Sequence, residues 1–555
     1  MALFKRCAVD AGGDEALAAN RHAPREFSVV ARRGKFSGQQ VGAAAVEEER
    51  HFAAGKSLEK SCESLWIFPR HRILLDRNYR GVGFEMSINL TRRAFFGGAT
   101  AWAVWPKDLF GAPVKDGKAK QPPQASAWEK PDGNATDSVM ARRLYLDLAG
   151  RIPTRDEAQA YVYSADPKKR AVLADKLLAS KEFADYWAMR FCDILRVKSE
   201  FPINLWPNAV YVYHARIRAF VERNEPWFAF GRTLLTAQGS DFRDAEANFF
   251  RATDNRTPEG WAEAVAQTFL DIPPTQLKPD LRKELAAYLG NVKIKNTREW
   301  KEEIVFVDGP DRRGELCDLL FTKKRAEVEA AFSRTVRRWI FGPSAKAAKV
   351  SGELRIKDML REIVLSPEYA RGSVTGGFPA RRLDAEVLDD AICALSGASR
   401  DYQSPAPEPF TFLPPKRATV CVEDGSITNG FLTLFGRPAR DKGLQSERGS
   451  DVTAKQRLYL FNSAQIHRQM GQIAAPPGKM PDGKPNPIYQ LPIQKRIDDI
   501  YWRMLAREPT QQERQLILGI WQKRGGGKKR NVKPFELLRD VAWCLINTKE
   551  FIFRV

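Results

Sequence analysis

Polar side chains suited to binding a charged ligand gather between residues 404 and 448. The segment is long and rich in proline and glycine, and a loop of this length within a compact domain usually carries a function or is disordered. Guanidinium groups in such a loop suit the recognition of carboxylate or sulfate groups, but they could equally pair with Glu408 or Glu447 inside the fold. The candidate binding residues are Glu408, Asp424, Arg437, Arg440, Glu447 and Arg448.

Cysteine and histidine are spread too thinly for a metal or haem site to be inferred from their spacing. The seven cysteines and five histidines contain no C-x-x-C, no C-x-x-C-H and no pair of histidines at helical spacing. Three ligands far apart in sequence could still meet around a catalytic ion. There is also no G-x-S-x-G nucleophile elbow. We therefore predict no metal and no cofactor, and we assign no catalytic residue.

Residues 381–395 predict an amphipathic helix that carries several acids. Asp384 with Glu386, or Asp389 with Asp390, could be imagined as an acid/base pair. Side chains one or two positions apart do not face each other on a helix, so neither pair could share a site without help from elsewhere. We expect these acids to form a solvated face.

The elements that must position these residues are helices with well-marked starts. Residues 145–157 and 501–513 share tyrosine, arginine, proline, threonine and glutamate at the same offsets. Each copy contains the T-x-x-E pattern of a capping box, in which the threonine and glutamate satisfy free amides at a helix start. The preceding proline ends the helix before it, so each copy predicts a helix, a sharp corner and a second helix. The predicted caps are Thr154, Glu157, Thr510 and Glu513.

Several longer motifs are similar to a known pair of domains. The first group is R-R-L-Y-L-D-L-A-G-R-I-P-T at 142–154, L-L-A-S-K-E-F-A at 177–184 and N-F-F-R-A-T at 248–253. The second group is R-R-L-D-A-E-V-L-D-D-A-I at 381–392, F-G-R-P-A-R at 435–440, S-E-R at 446–448 and D-V-A-W-C-L-I-N-T-K-E-F at 540–551. In this order they resemble the planctomycete cytochrome-associated domains of unknown function, paired amino-terminal and carboxy-terminal domains of large exported bacterial proteins.

The resemblance implies no established activity, and two departures from the family argue against haem. Many relatives carry a C-x-x-C-H-like cluster after the helix that ends here at Leu270, where this chain has none. Relatives often show a C-x-C where this chain has Leu444 and Ser446. We therefore expect a non-haem protein.

Apolar residues at helical spacing predict a mainly α fold with two helical domains and a small irregular or β patch between them. A β-branched and aromatic run at 302–308 predicts a short strand in that patch. The predicted divisions are 1–85, not part of the native protein or disordered; 86–112, a twin-arginine-type signal; 113–137, a linker; 138–274, the amino-terminal helical domain; 275–330, the connection; and 331–555, the carboxy-terminal helical domain with long loops at 404–448.

The signal is predicted from two arginines followed by a short apolar stretch after Met86. No run of residues is long and apolar enough for a transmembrane helix. A buried apolar helix is the alternative interpretation of the same stretch. We expect the protein to be exported to the periplasm or the cell surface.

The formal net charge of +21 raises the question of an anionic partner. The basic residues are spread along helices, and no nucleic-acid-binding motif is present, so we expect no nucleic acid partner. We predict an exported helical binding or scaffolding protein that partners a sulfatase-like hydrolase or binds an anionic polysaccharide. The alternative is a polysaccharide-directed hydrolase with its site in the 404–448 loops; the sequence does not decide whether the protein is catalytic.

Overall fold

The computed structural model of the chain describes residues 128–349, 352–476, 478, 484, 486–525 and 533–555. The predicted amino-terminal segment, the signal and most of the linker lie outside the described residues. All described residues belong to one compact unit.

Helices dominate the described residues, and the prediction of a mainly α fold is confirmed. The first eleven are α1 Asp137–Leu144, α2 Arg155–Val162, α3 Lys169–Leu178, α4 Lys181–Ile194, α5 Pro207–Glu222, α6 Trp227–Thr236, α7 Asn248–Arg251, α8 Pro258–Leu270, α9 Pro279–Leu289, α10 Arg313–Asp318 and α11 Arg325–Phe341. The others are α12 Ile356–Leu365, α13 Pro367–Ala370, α14 Ala385–Ser396, α15 Gly430–Leu434, α16 Ala454–Asn462, α17 Ala464–Ala474, α18 Ile493–Leu505, α19 Gln511–Lys523, α20 Pro534–Ile546 and α21 Lys549–Ile552. A π-helical turn, Tyr145–Ala149, directly continues α1.

The strands form two small antiparallel sheets. They are β1 Gly239–Ser240, β2 Val292–Asn296, β3 Glu303–Val307, β4 Arg381–Arg382 and β5 Phe553–Arg554. Strand β3 lies between β1 and β2, and it coincides with the strand predicted at 302–308. Strands β4 and β5 pair across a long sequence separation and bring the end of the chain beside the start of α14. None of the described helices is long and apolar enough to cross a membrane.

Side chains of the two predicted helical domains share one hydrophobic core. Trp187 of α4 is 1 % exposed, and its ring meets Trp339 of α11 at a centroid distance of 5.6 Å. Phe191, one turn further along α4, stacks on Phe332 of α11 at 6.3 Å. Aromatic pairs of this kind add to the stabilisation that their buried area provides. The helices before and after the small sheet are therefore held together by close packing.

Both predicted capping boxes are present at the two corners. The Thr154 hydroxyl accepts from the Glu157 amide at 3.3 Å, and the Glu157 carboxylate accepts from the Thr154 amide at 2.8 Å. The same bonds join Thr510 and Glu513, at 3.2 and 2.7 Å. Each box satisfies amides that have no partner at a helix start, so α2 and α19 begin where the sequence motif places them.

The likeness of the two corners extends to an arginine that sits on a tyrosine ring. Arg151 lies 4.9 Å from the centre of the Tyr145 ring, and Arg507 lies 5.4 Å from that of Tyr501. Each arginine also binds the glutamate of its own capping box with two hydrogen bonds. The repeated sequence thus folds into one structural unit that is used twice.

The two corner units pack against each other. Trp502 of the second unit lies with Ala506 in a small buried cluster that includes Ala158 of the first. Arg155 of α2 forms a 3.0 Å ion pair with Asp499 of α18. This contact joins the beginning and the end of the helical body.

Candidate functional site

The acids of α14 are buried, so the prediction of a solvated acidic face is wrong. Glu386 has no exposed surface, and Asp389 and Asp390 are 6 % and 7 % exposed. A buried carboxylate is costly unless it is paired and hydrogen-bonded. Arg448 pairs with Glu386, and Arg400 pairs with Asp389 and Asp390. Both arginines lie outside α14, so helical periodicity within α14 could not show them.

The arginines of the 404–448 loops form a buried ion network with α14 and α4. Arg448 donates to Glu386 at 2.6 Å and to Asp193 at 2.7 Å. Arg440 donates to the other oxygen of Asp193 at 2.9 Å, and Arg437 lies 3.4 Å from Glu386. Burial alone raises the pKa of Glu386, but the attraction of Arg448 leaves that pKa below its ordinary value. The network therefore holds its charges inside the fold.

The other candidates from the sequence are placed differently. Asp424 accepts from the backbone amides of Ser199 and Ser426, and Glu447 accepts from those of Asp441 and Lys442. Glu408 lies on the surface. The six candidates therefore do not form one open site, and the arginines pair with Asp193 and Glu386 rather than with Glu408 or Glu447.

An open groove of about 440 Å³ lies instead at the loop between β2 and β3. Its volume is in the range that binding sites for small ligands occupy. The lining residues are Asn204, Arg251, Arg256, Asn296, Thr297, Arg298, Glu299, Trp300, Lys301, Glu302 and Glu303.

Three aromatic rings meet beside this groove. Trp300 contacts Trp206 with ring centroids 4.3 Å apart, and Phe410 contacts Trp206 at 5.4 Å. Trp300 is 62 % exposed and Phe410 is 51 % exposed. Exposed apolar surface gathered in one place is a feature of interaction sites. We call Trp206, Trp300 and Phe410 the aromatic platform.

The hairpin holds Trp300 at its tip. Strands β2 and β3 are in register, with Asn296 opposite Glu303. In the loop between them, the Thr297 hydroxyl donates to Glu302 at 2.9 Å. The Ser240 hydroxyl donates to the other oxygen of that carboxylate. Glu302 therefore connects the base of the loop to β1 and restricts the position of the loop that carries Trp300.

Some of the basic side chains near the platform form ion pairs within the protein, and others do not. Arg251 and Arg256 both pair with Glu303. Burial, together with the repulsion of Arg256, lowers the pKa of Arg251 to about 10. Arg298 and Lys301 are exposed, and neither forms an ion pair with any residue that the structure describes. Lys301 lies over the Trp300 ring, with its Nζ 5.9 Å from the ring centre. Both cations are exposed to an approaching anion.

Sequence reasoning missed the aromatic platform because its three rings come from separate segments. Trp206 precedes α5, Trp300 lies in the β2–β3 loop, and Phe410 belongs to the 404–448 loops. One signal was available in the sequence. A tryptophan stands in the polar run N-T-R-E-W-K-E-E at 296–303, where a large apolar side chain has no nearby apolar partner.

The fold and this groove define a mainly helical protein with an open aromatic and basic surface. Residues 124–277 match the family model PSCyt2, Protein of unknown function (DUF1549), and residues 349–521 match PSD1, Protein of unknown function (DUF1553). The chain therefore belongs to the proteins that carry these two domains in this order, which confirms the resemblance seen in the motifs. No curated protein and no solved structure matches the chain.

Proposed function

We propose that this protein is a non-haem binding protein that holds an anionic polysaccharide in the groove beside the aromatic platform. The observation that carries the proposal is the contact of exposed Trp300 with Trp206 and Phe410, next to two exposed cations that form no ion pair with a described residue. Aromatic faces pack against the C–H faces of sugar rings, because both surfaces are apolar and flat. Arginine and lysine bind sulfate or carboxylate substituents.

The carboxylates of the groove support binding over hydrolysis. A glycosidase needs one carboxyl group with a raised pKa to protonate the leaving oxygen. The hydrogen bond from Ser240, followed by that from Thr297, lowers the pKa of Glu302. Glu303 is held by Arg251 and Arg256. Glu302 is therefore not set up as a proton donor.

The buried ion network gives a second reason against the hydrolase alternative. The side chains of Arg437, Arg440 and Arg448 are 2 %, 1 % and 8 % exposed. A substrate could reach these guanidinium groups only if the network opened, and opening would leave Asp193 and Glu386 as buried, unpaired charges. We therefore place polysaccharide binding at the β2–β3 loop.

The proposal includes export to the periplasm or the cell surface, where such a polysaccharide would be met. The twin-arginine-type segment in the sequence supports this location. A sulfatase-like partner stays a prediction that rests on the family resemblance. A protein that holds a sulfated chain and an enzyme that removes its sulfate groups would act on the same material.

The proposal is tested by titrating a size-defined sulfated oligosaccharide and its desulfated counterpart into the purified protein. Trp300→Ala should weaken binding of the sulfated form about tenfold, because it removes the centre of the platform, and tenfold corresponds to ~1.4 kcal/mol. Tyr163→Ala is the matched control, since Tyr163 is also exposed but packs on Trp502.

The charge of the groove is tested by Arg298→Gln, which should weaken binding and reduce its dependence on salt. Arg361→Gln removes the same charge from a surface ion pair with Asp175 and should leave binding unchanged. Equal binding of the sulfated and desulfated forms, or full binding by Trp300→Ala, would show that the groove does not have the proposed role.

A further inference from the structure

A second, much smaller cavity lies where β4 and β5 meet α4 and the π-helical turn. Its lining has an excess of positive charge: four arginines face two aspartates and one tyrosine. Only about 20 Å³ is open at its centre, enough for one particle the size of a water molecule. The polar lining residues are Asp147, Tyr186, Arg190, Arg381, Arg382, Asp384 and Arg554.

Both aspartates of the lining already pair with arginines. Asp384 is in contact with Arg190, and Arg448 lies 3.8 Å from its other oxygen. Asp147 is in contact with Arg554 and accepts from the hydroxyl of Tyr369 at 2.8 Å. Pairing of Asp384 with Arg190 and of Asp147 with Arg554 leaves the other two arginines of the lining without a carboxylate partner.

Those two arginines are held by backbone carbonyls. Arg381 donates to the carbonyls of Arg338 and Trp339 at 3.0 and 3.1 Å. Arg382 donates to those of Leu383 and Phe435 at 2.9 and 2.8 Å. Carbonyl oxygens orient a guanidinium group but do not cancel its charge. Neither arginine therefore forms an ion pair with a carboxylate among the described residues, and an anion in the cavity would stabilise both cations.

Two arginines that line the cavity also have hydrogen-bond donors without acceptors. The Nε atoms of Arg190 and Arg554 are buried and have no hydrogen-bond partner. Their residues are 4 % and 7 % exposed. A buried donor normally has an acceptor, which an ion or a water in the cavity would supply. Burial, and next the repulsion of Arg554, lowers the pKa of Arg381 to about 10, as expected for cations that crowd one space.

We propose that this cavity binds one halide ion, which is chloride under ordinary conditions. The small volume admits a monatomic anion and has no room for sulfate or phosphate. Arg190 and Asp147 come from the stretch that matches the first domain, whereas Arg381 and Asp384 come from the stretch that matches the second. The ion therefore joins the two domains, and its role is separate from polysaccharide binding at the groove.

The test compares the unfolding temperature of the full protein in sodium chloride, sodium bromide and sodium gluconate at constant ionic strength. A ligand that binds only the folded state raises this temperature as its concentration rises. We expect a saturable rise of a few degrees with chloride and bromide but not with gluconate. Arg361→Gln should keep this response, and Arg381→Gln should lose it.

Anomalous scattering from bromide-soaked crystals of the unsubstituted protein provides a measurement that does not depend on any variant folding. A bromide peak within hydrogen-bonding distance of the Nε atoms of Arg190 and Arg554 is the expected result. The proposal is overturned if the unfolding temperature is the same in chloride and gluconate, or if the cavity shows no bromide peak. Neither outcome bears on the groove, whose test uses oligosaccharides.

Discussion

The two corner arginines offer a matched comparison, in which Arg507→Met should cost much more stability than Arg151→Met. Arg507 is 9 % exposed at its side chain and binds two carboxylates that are nearly as buried. It donates to Glu513 at 2.8 and 3.0 Å and to Glu550 at 2.7 and 2.8 Å. Removing it leaves two buried carboxylates without a cation, which costs about 3–5 kcal/mol.

Arg151 occupies the same position in the first corner but is more exposed. Its side chain is 30 % exposed, and it donates to Glu157 with two bonds of 2.8 Å. Its second carboxylate, Glu182, lies 3.8 Å away and is 50 % exposed. Water can solvate both carboxylates once the arginine is gone, so we expect a loss of about 1 kcal/mol.

Urea unfolding followed by far-ultraviolet circular dichroism would measure both losses on the same protein. The predicted gap between the variants is about 2–4 kcal/mol, the difference between a buried and an exposed ion pair. Equal losses would refute the reasoning, because they would show that burial of the carboxylates does not set the cost. Methionine keeps much of the side-chain volume, so packing changes affect the two variants similarly.

Two further predictions concern the first corner. Burial raises the pKa of Glu157, but the bonds from Arg151 outweigh this effect and lower that pKa to about 2. The ion pair therefore contributes its full stabilisation above the ordinary pKa of 4.5 and loses it as pH falls through 2. The urea midpoints of Arg151→Met and the unsubstituted protein should therefore converge as pH falls from 7 towards 2, and a constant gap would contradict this. Gly150→Ala should lower the unfolding temperature far more than Gly397→Ala. Both glycines have positive φ, but only at position 150 would the added Cβ clash with the ring of Tyr186. Equal decreases would show that the ring moves aside freely.

Local features of this fold could be predicted from the sequence, and long-range ones could not. The T-x-x-E pattern at Thr154 and Thr510 places two helix starts because its hydrogen bonds span only three residues. The run at 302–308 predicts β3 from its own composition. In contrast, the burial of Glu386 depends on Arg448, 62 residues away. Nothing in the pattern of one helix indicates such a partner.

The difference between local and long-range features also explains why the composition of the 404–448 loops predicted a binding site there. A loop rich in arginine has the same composition whether its guanidinium groups face solvent or buried carboxylates. Arg440 finds Asp193 on α4, 247 residues before it, and is 1 % exposed. The loop contributes to the proposed groove through Phe410, an apolar residue that polarity alone would not select.

Hydrogen–deuterium exchange with and without a sulfated oligosaccharide tests the central claim most directly, because it locates the ligand on the chain. We predict slower exchange in residues 296–303 and in the segments that carry Trp206 and Phe410, and no change in residues 435–448. Protection of 435–448 without protection of 296–303 would contradict the account, because it would place the ligand at the buried arginines.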